Sequence, residues 1–338
     1  MATLYRKLLR FLPRLGLQVT DLGPGTAAVS RRGARTAIPL TTGADLLVRT
    51  MDRYVVSRPA KDMWLVLGAR SPAFPRPSGT ARPSDDWKAV RLGDSGAYLL
   101  VNKDAAADER RTQLAAAEYL CAQHVAAMLE TYGVNCVFDV GANAGQYGRR
   151  LRSHGYTGRI VSFEPTEEAF ARLQRTAEND PDWQVHRMGL GREDTVAEIH
   201  TGWNSMNSLL SPSDYGRDRY RRFARTRTEQ IEIRRLDGLL DRAFDGIAFP
   251  RPYLKMDTQG YDLEVFAGAG KHVDDFVGLQ SEVAALQLYE GSPTMGEALA
   301  EYEASGFRIT GMYPVTRDPA TGHVVEFDCV MMRGDAVG

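Results

Sequence analysis

VFDVGANAGQYG, residues 137–148, decides the fold. An apolar run meets an acid at Asp139, and Gly141, Gly145 and Gly148 follow in quick succession. A buried strand that ends in closely spaced glycines and leads into a helical stretch marks the carboxyl end of a strand in an open α/β sheet, where ligands sit. The chain alternates on either side of this point. A helical pattern over 106–132 precedes it and stops at Gly133. After it, GRIVSFEP (158–165), WQVHRMG (183–189), YLKMD (253–257) and VGLQSEV (277–283) read as strands. Helical stretches lie at 144–154, through EEAFARLQRTAEN, at 260–269 and near 294–305. GFRITGMY and VVEFDCVMM form a closing strand pair. Strands alternating with helices predict a mostly parallel sheet covered on both faces.

Composition excludes several classes of function. The chain has 338 residues, 43% of them hydrophobic, with 42 basic and 43 acidic side chains and a formal net charge of −1. No bulk field points to nucleic acid or a membrane surface. Cys121, Cys136 and Cys329 are too far apart for a metal or disulfide pattern, which fits a reducing, cytoplasmic compartment. No apolar run approaches the roughly 20 residues of a membrane span, and the N-terminus does not read as a signal peptide. Leu4, Leu8, Leu12 and Leu15, interleaved with Arg6, Lys7, Arg10 and Arg14, predict a short docked helix broken near Pro13, with a membrane-surface anchor as the alternative. WLVLG (64–68) reads as a strand, 71–86 as a Pro/Ser-rich linker, and WKAVRLGDSGAYLLVN (87–102) as a hairpin. The expected division is therefore an accessory region at 1–86 and a catalytic domain at 87–338.

The glycine spacing argues against a dinucleotide. The fingerprint for one is G-x-G-x-x-G, whereas position 143 is Asn and the spacing is G-x-x-x-G. An acid at Asp139 repels a pyrophosphate and suits a cationic ligand such as S-adenosylmethionine, whose sulfonium and ammonium carry positive charge. Gly141 and Gly145 are expected to let backbone approach that ligand. Glu164, at the end of the second strand, is placed to accept hydrogen bonds from both ribose hydroxyls. Pro165 and Gly189, at the ends of the second and third strands, complete the expected cofactor set.

VFDVGANAGQYG, VSFEP and YLKMDTQGYDLEVFAGA (253–269) together resemble the FkbM-type methyltransferases over residues 106–332. DVGAN combined with K-x-D-x-Q-G-Y-D is the specific part, and Thr258 stands where that family often has Val or Ile. The resemblance implies a Rossmann-like class I methyltransferase fold, a mostly parallel seven-stranded sheet with an antiparallel C-terminal strand. It also implies S-adenosylmethionine as cofactor and methylation mostly of hydroxyl groups on sugars and natural products. Asp139, Gly141, Asn143, Gly145 and Glu164 match its cofactor motif, and Lys255, Asp257, Gln259, Gly260, Tyr261 and Asp262 its second motif.

The chemistry asks for few groups. A hydroxyl is a poor nucleophile while protonated, and a positioned base contributes ~10²–10⁴-fold. Asp257, ending YLKMD, is the expected base, with Glu282 as neighbouring carboxylate and Lys255 on the same face as Asp257. Mg²⁺ held by Asp257 and Glu282 is the alternative device, not the expected one. Asn204, Ser205 and Asn207, in the polar stretch after the third strand, join Gln259 and Tyr261 as candidate acceptor contacts. The basic, aromatic run 215–227 reads as a solvated helix face, with a lid as the alternative. The leading expectation is an S-adenosylmethionine-dependent O-methyltransferase for a small-molecule acceptor. N-methylation of an amide and a catalytically silent cofactor-binding scaffold are its rivals. Acceptor binding and homo-oligomer formation are the roles open to residues 1–86.

Overall fold

The apolar runs become strands whose order opens a crevice. The computed structural model describes eight strands between residues 17 and 102, and then residues 109–334. The predicted N-terminal helix and the linker at 71–86 lie outside the described residues. The chain divides into two compact units, Met1–Ala116 and Ala117–Gly338.

In the first unit every described pairing is antiparallel. Leu17–Gly23 pairs with Thr26–Arg31, and Arg35–Thr41 with Ala44–Arg49. A four-stranded sheet follows the order Tyr54–Ala60, Met63–Gly68, Ala97–Asn102, Trp87–Leu92. The hairpin expected at 87–102 forms, but it belongs with the strands before it. Two strands alone are marginal in water, and Met63–Gly68 supplies the third. The two compact units meet in sequence at Ala116/Ala117.

The second unit carries a seven-stranded sheet. Its strands are β1 (Cys136–Val140), β2 (Arg159–Phe163), β3 (Trp183–His186), β4 (Pro252–Met256), β5 (Gly278–Ala284), β6 (Phe307–Arg317) and β7 (Val324–Arg333). Their spatial order is β3-β2-β1-β4-β5-β7-β6. β1 to β5 run parallel, and β7 lies antiparallel between β5 and β6. The helices that matter for the site are α1 (Glu109–Thr131), α2 (Gln146–Ser153), α3 (Glu167–Ala177), α4 (Asp262–Gly268) and α5 (Met295–Ala304).

β1 and β4 are buried along their whole length, as strands covered on both faces must be. Alternation divides their side chains. Cys136, Phe138, Val140, Leu254 and Met256 pack on one face with Phe266, Tyr302 and Phe307. Val137 and Tyr253 pack on the other with Cys121, Val125 and Leu129 of α1, Leu151 of α2 and Leu173 of α3. Asp139 and Lys255 each follow one of these by two residues, so they point toward α1 and α2.

One element escaped the sequence pattern. Gly189–Leu190, Thr195–Thr201 and Arg227–Arg234 form a separate three-stranded sheet, with Arg227–Arg234 in the middle. Its core is Ile199, Ile231 and Ile233. The run 215–227 is partly anchored: Phe223 packs with Trp203, Leu288 and Tyr289, and the half-buried Arg219 donates to the Arg317 carbonyl at 2.9 Å.

Tight packing of α2 on β3 reverses an ordinary rule. A glycine inside a helix is usually improved by alanine, by roughly 0.5–1 kcal/mol. A Cβ on Gly148 would lie 2.2 Å from the Trp183 ring, and Trp183 is buried with its indole N–H donating to Ser162 at 2.9 Å. Gly148→Ala is expected to destabilise the protein by about 1–3 kcal/mol, as overpacking does, measured by urea unfolding. A gain in stability would show that the ring yields freely.

Candidate active site

The chain leaves β1 toward β2, while β4 lies on the other side of β1. The carboxyl ends of β1 and β4 therefore diverge into a crevice, the usual ligand position in such sheets. A cavity of about 310 Å³ occupies it, within the range of small-molecule sites.

One wall is built around Glu164. Burial pushes its carboxyl pKa up, while hydrogen bonds from Thr166 and the Asn143 backbone oppose that shift. The Thr166 N–H and hydroxyl donate to Oε1 at 3.0 and 2.5 Å, and the Asn143 N–H donates to Oε2 at 3.0 Å. The carboxylate is thus fixed in orientation at the cavity surface, with acceptor capacity left. Asn143, Pro165 and Gly189 line the same wall, beside apolar Met188, Ile199 and Ile231.

Gly141 lines the cavity, and both it and Gly145 also serve the chain's own packing. Gly141 has φ +77°, and a Cβ there would sit 2.0 Å from the Asp257 carbonyl oxygen. The end of β1 can lie against the end of β4 only without a side chain. Gly145, φ +81°, does not line the cavity, and its Cβ would press on Leu173, Thr176 and Trp183 at 3.1–3.2 Å.

Register places Ser162, Asp139, Lys255 and Gln280 side by side across β2, β1, β4 and β5. Asp139, the acid expected to meet a cationic ligand, is fully buried and does not itself line the cavity. Its partner is internal: Lys255 Nζ lies 3.1 Å from Asp139 Oδ1 and 3.5 Å from Asp257 Oδ2. Burial by itself would lower the Lys255 pKa, but the two carboxylates outweigh it and hold the ammonium above its ordinary value.

Asp257 faces the cavity with its side chain 39% exposed. Gln259, held at φ +55°, donates its amide to Asp257 Oδ1 at 3.0 Å and to Glu282 Oε2 at 2.7 Å, and accepts from the Tyr289 hydroxyl at 2.8 Å. Asp262 fixes the same turn by accepting from the Thr258 N–H at 2.9 Å. Glu282 therefore stands behind Gln259. It neighbours Asp257 through that bridge, and lines a separate cavity of about 20 Å³ with Asp262 and Glu326. Burial, then Glu326 and Asp257, push its pKa well up.

Asn204, Ser205, Asn207, Gln259 and Tyr261 all reach the main cavity. The Asn207 side-chain oxygen is already used, accepting from the Trp203 N–H at 3.1 Å. Tyr147, Arg150, Gln280 and Asp328 also line it and were not anticipated. Among the described residues no group of three or more His, Cys, Asp or Glu is placed to share a metal ion.

A family model described as the methyltransferase FkbM domain matches residues 139–309. Comparison with curated protein sequences returns no significant match. Among solved structures, magnesium protoporphyrin IX methyltransferase from Synechocystis PCC 6803, with bound S-adenosylmethionine, is 10% identical at a TM-score of 0.35, covering 67% of this chain and 84% of that one. Fibrillarin from Aeropyrum pernix, also with S-adenosylmethionine, is 11% identical at a TM-score of 0.37, covering 83% and 99%. An rRNA methylase from Streptococcus thermophilus is 11% identical at a TM-score of 0.31, covering 59% and 87%.

The acid pair behind Gln259 gives the protein a pH dependence. Burial, then Asp257 and Asp328, push the Glu326 carboxyl up to about 8. A pKa raised in the folded state contributes stability that is fully present below the unfolded value, near 4.5, and is lost as pH rises through the folded value. Tm is expected to fall between about pH 5 and pH 8.5, and Glu326→Gln to flatten that fall. An unchanged slope in Glu326→Gln would remove Glu326 as its source.

Proposed function

This chain belongs to the FkbM methyltransferase family, an S-adenosylmethionine-dependent enzyme, and from that premise we propose that it methylates a hydroxyl of a sugar or natural-product small molecule. The observation that carries this reading is Asp257, a carboxylate open to the cavity and held on both oxygens, by Gln259 at 3.0 Å and Lys255 at 3.5 Å.

The residues divide the work by position. Glu164 fits a ribose diol, because its fixed oxygens present lone pairs to the cavity. Asn143, Pro165 and Gly189 close around the nucleoside, and apolar Met188, Ile199 and Ile231 offer a dry face for the base. When bound, S-adenosylmethionine supplies a methyl group activated by its sulfonium. Asp257 accepts the proton that the acceptor hydroxyl loses as it is methylated. Gln259 and Lys255 keep that carboxylate aimed, so orientation is set before the acceptor arrives. Asn204, Ser205 and Tyr261 border the acceptor's side of the cavity. A formal net charge of −1 provides no field for a phosphate backbone and favours a small acceptor. The N-terminal unit takes an accessory role in this reading, since every strand of the seven-stranded sheet lies after residue 135.

Two substitutions separate donor from acceptor. Glu164→Ala is expected to weaken S-adenosylmethionine binding by about 1–3 kcal/mol in calorimetry, the cost of losing hydrogen bonds to a charged group. Asp257→Asn should leave that affinity within about 0.5 kcal/mol. It should lower turnover by about 10²-fold or more on any acceptor found by screening hydroxylated sugars and aglycones for S-adenosylhomocysteine release. Full turnover of Asp257→Asn on a hydroxyl, or a methylated nitrogen in the product, would overturn the assignment.

A further inference from the structure

The cavity has a second charged end that the reading above leaves unused. Among the described residues, its cationic lining consists of Lys255 and Arg150. Lys255 is buried and already stands between two carboxylates, at 3.1 and 3.5 Å. Arg150, on α2 just after the glycine loop, pairs with Glu118 of α1 at 3.3 Å. A guanidinium has five donors in a fork, so one carboxylate contact leaves most of them free. Nearby on the same cavity surface is Asp328 of β7. A short chain of hydrogen bonds orients it: the Tyr147 hydroxyl donates to Gln280 Oε1 at 3.0 Å, and Gln280 Nε2 donates to Asp328 Oδ1 at 2.9 Å. Its other oxygen receives only the Cys121 thiol at 3.9 Å, a weak donor. Asp328 is thus a fixed, half-buried carboxylate with an under-used oxygen, beside a guanidinium with donors to spare.

This end lies across the sheet from Glu164. Glu164 follows β2, whereas Gln280 and Asp328 belong to β5 and β7, with β1 and β4 between. The methyl donor has matching asymmetry. Its nucleoside end carries a neutral diol, and its other end an α-carboxylate and an α-ammonium. A cation and an anion on one wall are what such a zwitterion requires, and each supplies a charge-assisted hydrogen bond.

We propose that Arg150 and Asp328 form the subsite for the amino-acid end of the methyl donor, Arg150 taking the α-carboxylate and Asp328 the α-ammonium. Tyr147 and Gln280 act as positioning residues for Asp328. The inference rests on S-adenosylmethionine being the donor and is independent of the acceptor's identity.

The test compares ligands by calorimetry on the full-length chain. S-adenosylhomocysteine keeps the amino-acid end, and 5′-methylthioadenosine lacks it. Arg150→Met and Asp328→Asn are each expected to weaken S-adenosylhomocysteine by about tenfold or more, while 5′-methylthioadenosine binds as to the unaltered protein within about twofold. Decarboxylated S-adenosylhomocysteine should be insensitive to Arg150→Met yet still weakened by Asp328→Asn. If Arg150→Met fails to fold, Arg150→Lys keeps the charge beside Glu118, and the same selective loss, smaller in size, is expected. Equal weakening of both adenosine ligands, or unchanged binding of S-adenosylhomocysteine, would overturn the subsite. Failure of the unaltered protein to bind S-adenosylhomocysteine would instead overturn the donor reading. A hydroxyl acceptor ruled out by product analysis would leave the subsite standing.

Discussion

One buried ammonium holds the end of this sheet together. Lys255 sits between Asp139 and Asp257, on adjacent strands and on the face covered by α1 and α2. Taking a single charge out of water costs several kcal/mol, so neither of the two buried groups, Asp139 and Lys255, is tolerable there alone. Asp139 is fully buried, and besides Lys255 it has only a Ser162 hydroxyl at 3.3 Å. Lys255 neutralises it, and the surplus negative charge then falls on Asp257, the one member of the trio that faces the cavity. An apolar residue in place of Lys255 would leave Asp139 uncompensated in the core.

The rest of the site follows from that arrangement. Asp257 has to lie close to β1, and the chain permits this because Gly141 lacks a Cβ that would otherwise strike the Asp257 carbonyl. Gln259 then turns back in a left-handed conformation and ties Asp257 to Glu282. Such backbone strain is kept where surrounding contacts over-determine it, and here the Tyr289 hydroxyl and two carboxylates do so. The band continues through Gln280 to Asp328, so one polar row crosses the sheet from β2 to β7.

The sheet was legible because its strands are short apolar runs bounded by glycine, and because the helices between them keep a clear period. Glu164 was legible as a strand-end acid at a fixed distance from the glycine loop. What spacing could not show was the neighbour each residue meets. Gly141 borders the cavity and also lies against Asp257, far along the chain, and nothing local announces that second neighbour. Asp139 reads as a strand-end acid, and its cross-strand partner Lys255 is visible only in the register. Gln280 and Asp328 are visible as single polar residues inside VGLQSEV and VVEFDCVMM, but only the register between β4, β5 and β7 turns them toward the cavity. The small sheet was missed because TVAEIHT and RTEQIEIR carry few apolar residues, although Ile231 and Ile233 do alternate in the period of a strand.

The central claim is that Asp139 and Lys255 stabilise one another. A double-mutant cycle in urea unfolding, with Asp139→Asn, Lys255→Met and the pair combined, measures this directly. Each single substitution should cost about 3–5 kcal/mol, as breaking a buried pair does. The double should cost at least about 2 kcal/mol less than the sum of the singles. Additive losses, or single losses below about 1 kcal/mol, would contradict the account.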